Sequence, residues 1–298
     1  MKQKELKQID NIGYQLTTDV NYRKSIWVKF VKGIKEFKMI NKGDKIAVCI
    51  SGGKDSMLLA KCLQEIQRHR KMDFELKFIA MDPGYSEANR QKIIDNAKLL
   101  NIPLHIFNSN IFNVVEKIDD HPCYICARMR RGHLYNEAKR LGCNKIALGH
   151  HFDDVVETIL LGMMYGAQMQ TMMPKLHSTF HEGMELIRPL YYVKEADVIE
   201  WRDYNNLEFI KCACKITENR HLDSDAYDSK RSEMKSLLRQ LRKNYDKIDM
   251  NIYNSTKNVN LSTLISYVKD GKTYHFLDDY DKKGLKESKK SDNFKGEE

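Results

Sequence analysis

The chain has 298 residues, 42% of them hydrophobic, and a formal net charge of +9 from 50 Lys and Arg against 41 Asp and Glu. That apolar share builds a sizeable core and excludes global disorder, and no run approaches the ~18–20 apolar residues of a membrane span. The cationic excess favours a polyanionic partner, most often nucleic acid, without separating RNA from DNA or anionic lipid. The length suits one large or two small domains. The opening "MKQKELKQID" lacks the apolar stretch of a signal peptide, so a cytoplasmic protein with no membrane association is expected.

Residues 22–40 read as an amphipathic helix, with Ile26, Trp27, Phe30, Ile34 and Phe37 on one side and five lysines mostly elsewhere. Strand-length apolar runs follow at 45–50, 75–81, 104–107, 145–149 and 186–190. Helical patterns near 56–70, 86–100, 126–141, 153–165 and 194–204 lie between or after them, and a second basic helix is predicted at 229–245. Residues 281–298 have almost no apolar side chains and read as a disordered tail. Short apolar strands alternating with helices predict an α/β fold: a parallel sheet with helices on both faces, an N-terminal helix and a helical C-terminal region. Ligands of such sheets sit beyond the carboxyl ends of the strands. Here those ends read "SGGKDS", "DPGY", "NSN" and "GHHFDD", which would converge on one crevice.

The first of these is the most specific. Gly52 and Gly53 permit a tight turn and close backbone approach to a ligand. Ser56 begins a helix whose positions 58, 59, 62, 63 and 66 pack inward. Its first N–H groups lack internal partners and carry partial positive charge, so strand, glycine loop and helix N-terminus make an anion site. Lys54 adds a charge, and Ser51 and Ser56 add hydroxyl donors. Asp55 is out of place in a plain anion site and points to a cation-assisted step. The spacing of the Gly-Lys-Ser/Thr ATP loop is absent.

In "GHHFDDVVET" (149–158), Asp153, Asp154 and Glu157 share a helical face. Asp154 with Glu157 resembles a capping box; given the upstream loop, a carboxylate such as Asp153 aimed at Mg²⁺ on ATP is the stronger expectation, with His150 orienting phosphate or substrate. Of seven cysteines, Cys49 and Cys62 read as small core hydrophobes, and Cys143 gives no clear signal. Cys123 and Cys126 form C-x-x-C, which suits zinc, an iron–sulfur cluster or a redox pair. Cys212 and Cys214 form C-x-C. Four thiolates would close a structural site, whereas three would leave a position open for chemistry. Arg128, Arg130 and Arg131 beside the first pair favour thiolates and attract RNA phosphate.

"SGGKDS" resembles the PP-loop of the ATP pyrophosphatases, which holds the pyrophosphate of ATP while a substrate oxygen attacks the α-phosphate. With "CYIC", "GHHFDDVVET", a late cysteine and "NSTKNVNL" (254–261), residues 25–265 resemble the tRNA 2-thiocytidine synthetase family of iron–sulfur-dependent tRNA thiolases. The resemblance implies a [4Fe-4S] cluster on three cysteines, ATP and Mg²⁺ as further requirements, and cytidine 32 of tRNA as the substrate. It also implies a sulfur donor such as a cysteine desulfurase, and a homodimer. Cys123 and Cys126 match two cluster ligands. The third falls on the C-x-C pair, where the family pattern favours Cys212 over Cys214. The implied division is an N-terminal helical segment (1–40), a PP-loop nucleotide-binding domain (41–205), a C-terminal region with the third ligand and basic helix (206–280), and the tail (281–298). The competing readings are a 2-thiouridine-forming thiolase and a tRNA-binding PP-loop protein with structural zinc.

Overall fold

In the computed structural model the described residues are 12–13, 15–69, 72–109, 111–112, 122–210, 225–278 and 280, without the side chains of 122–124, 127 and 225–229. Two compact units are present, Met1–Tyr253 and Asn254–Glu298.

The larger unit is built on a six-stranded sheet: β1 (Lys45–Cys49), β2 (Glu75–Asp82), β3 (Leu104–Asn108), β4 (Lys145–Ala147), β5 (Lys175–His177) and β6 (Glu185–Ile187). The spatial order is β3-β2-β1-β4-β6-β5, parallel except for β5. The five expected strands are all present, within a few residues of their read bounds. The added β5 is a three-residue antiparallel edge beside β6, too short to show a period.

Alternation along β1 explains the layers. Ile46 and Val48 enter one apolar cluster, while Ala47 and Cys49 enter another on the opposite face. The first cluster is covered by α1 (Val28–Glu36), α2 (Lys54–Arg68), α3 (Glu87–Leu99), α5 (Phe152–Tyr165) and α6 (Glu195–Tyr204). The second is covered by α4 (Pro122–Arg140), through Tyr135 and Ala138. The predicted N-terminal helix is therefore part of the main core, with Ile26, Phe30 and Ile34 buried. It enters through a π-helical turn at Arg23–Trp27, which adds one residue to the turn and keeps Ile26 inward. The C-terminal helices are α7 (Asp225–Asn244), the predicted basic helix, and α8 (Ile248–Ser255); α7 buries Met234 and Leu238.

In the smaller unit, β7 (Ser266–Lys269) and β8 (Lys272–His275) form a hairpin. Asp270 and Gly271 at its turn have φ of 52° and 76°. Asp-Gly is the standard signal for such a turn. Residues 281–298 lie outside the described residues.

The chain runs outward from β1 to β2 and β3, then returns to place β4 on the other side of β1. The carboxyl ends of β1 and β4 thus flank the topological switch point, where ligands of open α/β sheets bind. At the opposite end, Lys145 is buried between Asp44 (2.8 Å) and Glu185 (2.9 Å), and its third donor goes to the carbonyl of Met39 (2.9 Å). This pins the starts of β1, β4 and β6 together. Burial alone would raise Asp44 and Glu185, but the Lys145 ammonium outweighs it and holds both below the usual carboxylate range. Their stabilisation is therefore present above that range and lost as pH falls through the lowered values. Lys145→Met leaves two carboxylates without their buried cation. It should cost about 3–5 kcal/mol in urea unfolding at neutral pH, with the gap to wild type narrowing as the carboxylates protonate.

Candidate active site

Gly52 turns the chain at the end of β1 with φ of +86°, and a Cβ there would meet Ile93 and Ile210 at 2.7 and 2.6 Å. Only glycine meets both constraints. Gly53 occupies the N-cap of α2 with no side chain capping it, so the first-turn N–H groups remain available to an anion. Loop shape is held from within: Ser56 Oγ donates to the Gly53 carbonyl (2.9 Å) and accepts from the Ser51 N–H (3.2 Å). The two serines are thus partly spent on the loop itself. Lys54 Nζ lies 3.2 Å from Asp55 Oδ2 and 3.1 Å from Glu195 Oε1.

The strand β4 arrives beside this loop. A Cβ on Gly149 would stand 3.0 Å from backbone atoms of Asp55 and Ser56, so the β4 exit packs on the first turn of α2 as only glycine can. His150 and His151 are delivered with it. A cleft of about 290 Å³ opens here, lined among others by Ser51, Asp55, Ser56, Arg130, His150 and Asp154. The other walls include Cys49, Met81, Tyr85, Leu134 and Leu148. On the residues that line this cleft, two buried atoms have no hydrogen-bond partner, Asp55 Oδ1 and His150 Nδ1; Asp55 Oδ1 lies 3.8 Å from His151 Nε2. A carboxylate oxygen of this kind beside an anion site suits a metal cation accompanying the phosphates.

Burial, with Arg188 next in size, lowers the pKa of His150 to about 4, so the ring is neutral at physiological pH. It can orient a ligand by hydrogen bonding but carries no charge for phosphate. His151 caps α5. Its Nδ1 accepts from the Asp154 N–H (3.4 Å), and Asp154 Oδ2 accepts from the His151 N–H (3.0 Å). The capping box therefore pairs His151 with Asp154, in place of Asp154 with Glu157.

The three carboxylates expected to share a face are divided by their partners. Asp153 accepts from the Glu195 N–H (2.7 Å) and from Arg242 Nη2 (2.7 Å). Asp154 lines the cleft and accepts from Arg231 Nη2 (2.6 Å). Glu157 is buried under Arg231 (2.8 Å) and Lys235 (3.8 Å), and burial outweighs both cations to raise its pKa. Asp154 is also buried, but the nearby His151 and Arg231 overcome burial and hold its pKa low. Asp154 is the carboxylate of this motif on the cleft wall, while Asp153 is held by Glu195 and Arg242.

Sequence reading missed Glu195. Its two oxygens face Lys54 and, at 3.5 Å, Lys235 of α7. Nothing local marks it, because its partners lie far away in the chain. It also undervalued Arg130, whose guanidinium lines the cleft and donates to Tyr85 Oη (3.1 Å). Cys49 and Cys62 are buried, as expected of core thiols; burial pushes Cys49 up to about 12 and raises Cys62 further.

Cys126 is half-buried on α4, packed against the small apolar cluster of Met81 and Ile111. Cys123 lies one turn earlier on the same helix, so the two share a face. Arg130, one turn beyond Cys126, opens on the cleft, and Met81 touches both the Cys126 cluster and the cleft. The Cys123 side chain and the predicted ligands Cys212 and Cys214 lie outside the described residues. The described residues alone contain no group of three metal-ligating side chains. No helix among them is long and apolar enough to cross a membrane.

The model of the PP-loop domain family matches residues 26–217. A tRNA-cytidine(32) 2-sulfurtransferase of Paraburkholderia phytofirmans is 36% identical over 242 residues, covering 79% of this chain and 68% of its own length. The chain belongs to the tRNA-cytidine(32) 2-sulfurtransferase family of PP-loop proteins. A relative of the same name from Janthinobacterium is 36% identical over 253 residues, covering 83% and 75% of the two chains. Among solved structures, the U34-tRNA thiolase NcsA of Methanococcus maripaludis, determined with its [4Fe-4S] cluster, superposes with a TM-score of 0.59. It covers 77% of each chain at 22% identity, a likeness of fold.

Two outcomes test this geometry. Gly149→Ala should leave the protein folded by circular dichroism yet weaken ATP binding at least roughly tenfold, because the new methyl displaces the first turn of α2. A histidine whose pKa is lower folded than unfolded costs stability as pH falls below the ordinary 6.5 toward the lowered value of about 4. His150→Gln should accordingly flatten the pH dependence of unfolding in that window, and NMR should show the wild-type ring neutral down to it.

Proposed function

We propose that the chain is an ATP-dependent tRNA sulfurtransferase that converts cytidine 32 to 2-thiocytidine, with sulfur carried on a [4Fe-4S] cluster. The observation that carries this reading is one cleft with two functions on its walls. An uncapped helix N-terminus begins within "SGGKDS", at Lys54, on one side, and the helix of Cys123 and Cys126 presents Arg130 on the other.

The C2 carbonyl of a pyrimidine has a poor leaving group, and ATP corrects this. The C2 oxygen attacks the α-phosphorus, the bond to the bridging oxygen breaks, and pyrophosphate leaves. The first-turn N–H groups of α2 and Lys54 would take up the charge that grows on pyrophosphate. Asp55, with its unpartnered buried oxygen, and Asp154 would hold Mg²⁺ on the phosphates. Neutral His150 would orient the substrate, and Asp153 would act indirectly, by fixing the backbone of Glu195. Sulfur then replaces the activated oxygen and AMP departs.

Cys123, Cys126 and Cys212 would hold the cluster, with Cys214 as the alternative third ligand. The i, i+3 spacing on α4 and the apolar surroundings of Cys126 fit such a group. When bound, it would supply the sulfur nucleophile at the sulfide level. An outside donor such as a cysteine desulfurase would restore the sulfur. The target base must be unstacked to enter the cleft. Residues 41–205 would act as the nucleotide domain and 206–280 as the region closing the cluster, in a cytoplasmic protein and, by family, a homodimer.

Anaerobic purification should give about four irons and four sulfides per chain, and tRNA digests should contain 2-thiocytidine made in step with pyrophosphate. Lys54→Ala should keep the cluster absorbance and lose thiolation. Cys212→Ala should lose the cluster, while Cys214→Ala keeps it. A colourless zinc protein that resists reconstitution, or thiouridine in the digests, would sink the reading.

A further inference from the structure

Between residues 23 and 42 the chain carries seven Lys and Arg and one Glu, so two-thirds of its whole net charge of +9 sits in this stretch. Six of the seven, Arg23, Lys24, Lys32, Lys35, Lys38 and Lys42, are exposed. Among the described residues only the seventh, Lys29, is ion-paired, to Asp197 at 2.8 Å. A solvated helix face normally mixes both signs, which gains i, i+4 pairing and avoids self-repulsion. This one does neither.

The helix is also rigidly placed. Phe30 and Ile34 are buried in the main core, and a Cβ on Gly33 would lie 3.5 Å from the carbonyl of Pro189. Lys32 lies over the ring of Tyr192, 5.0 Å from its centroid. Its position relative to the cleft follows from two ion pairs. Lys29 binds Asp197 in the first turn of α6, and Glu195, at the start of that turn, binds Lys54 of the loop. The cationic ridge is therefore two side-chain steps from the anion site, and both are anchored on one helix end.

We infer that the exposed face of residues 23–42 is the docking surface for the phosphodiester backbone of the tRNA substrate. The inference rests on the proposed function for the identity of the polyanion. Phosphate contacts set position and carry no base information, so this face would place the tRNA while the cleft selects the base. Lys29, Lys32 and Lys35 follow one another three residues apart, as neighbours along one ridge. Lys29 is committed to Asp197, which leaves Lys32 and Lys35 to face the RNA with Lys24 and Lys38.

The test is tRNA affinity as a function of salt, measured on the full chain by fluorescence anisotropy. The variant replaces Lys24, Lys32, Lys35 and Lys38 together by Gln. Its Kd for tRNA should rise at least roughly tenfold at about 0.15 M salt, and the slope of log Kd against log salt should fall by about one for each phosphate no longer neutralised. ATP affinity should not change, and thiolation should show a raised KM for tRNA with kcat retained. Lys32→Gln and Lys35→Gln singly, each reducing the slope by about one, cover a quadruple variant that fails to fold. Unchanged affinity and slope would overturn the docking surface while leaving wild-type thiolation, and so the proposed function, intact. A wild type that makes no 2-thiocytidine, beside variants that still lose tRNA affinity, would overturn the function and keep the surface. Variants that lose binding to phosphatidylglycerol vesicles but keep their tRNA affinity would overturn the inference in favour of a membrane surface.

Discussion

The site depends on neutralising a crowd of carboxylates at one sheet edge. Asp55, Asp153, Asp154, Glu157 and Glu195 all gather beyond the carboxyl ends of β1 and β4, beside a loop shaped for an anion. Buried like charges of this density are tolerated only when each is paired. One cation, Lys54, comes from the loop itself, and three come from α7: Arg231, Lys235 and Arg242. The C-terminal helix is thus held on α5 by the same charges that make the nucleotide site. Removing Arg231 or Arg242 would take the arginine partner from Asp154 or Asp153, whereas the carboxylates that Lys235 reaches each keep a second basic partner.

That arrangement gives Glu195 a double role. Its backbone N–H satisfies Asp153, and its side chain is shared between Lys54 and Lys235. Burial works against the charge on both Lys54 and Glu195, yet Asp55 and then Glu195 raise the pKa of Lys54, and Lys54 and then Lys235 lower that of Glu195. A triphosphate entering the loop would compete with Glu195 for Lys54, and Lys235 is the other basic side chain that reaches this carboxylate.

The parts of the protein legible in the sequence are those set by local pattern. Strand periodicity gave the parallel sheet, and "SGGKDS" between a strand and a helix gave the anion site, because both depend on residues within a turn or two. The carboxylate motif was legible as a motif but not in its roles. Asp153, Asp154 and Glu157 look equivalent at helical spacing, and what distinguishes them is Arg231 and Arg242, 77 and 89 residues away from their partners. Glu195 was invisible for the same reason, being 141 residues from Lys54. The edge strand β5 escaped because Lys175–His177 has three residues and one apolar side chain, too few for a period of two. The hairpin at Asp270-Gly271 carries its signal in the turn alone, since its two short strands are mostly exposed and show no apolar alternation. Cys49, Cys62 and the inward positions of α2 were readable because burial follows directly from apolar pattern.

Two groups in the cleft bear on how the reaction is divided between charge and shape. Asp55 Oδ1 and His150 Nδ1 are both buried without a hydrogen bond, although Asp55 Oδ1 lies 3.8 Å from His151 Nε2, and a well-packed site does not keep such a state without use. They differ in what they can bind. Asp55 is a carboxylate beside a helix N-terminus, where a divalent cation brought in with phosphate would satisfy it. His150, with a pKa of about 4, has no charge to offer either phosphate or metal-bound water at neutral pH, but a neutral imidazole can still give or take one directed hydrogen bond. In the proposed reaction the loop side of the cleft would meet the charge of the nucleotide, and His150 on the β4 side would orient an uncharged group. A pyrimidine, polar but neutral, is the kind of ligand that the second side suits, and Arg130 from α4 stands in the same cleft to bind what charge develops between them.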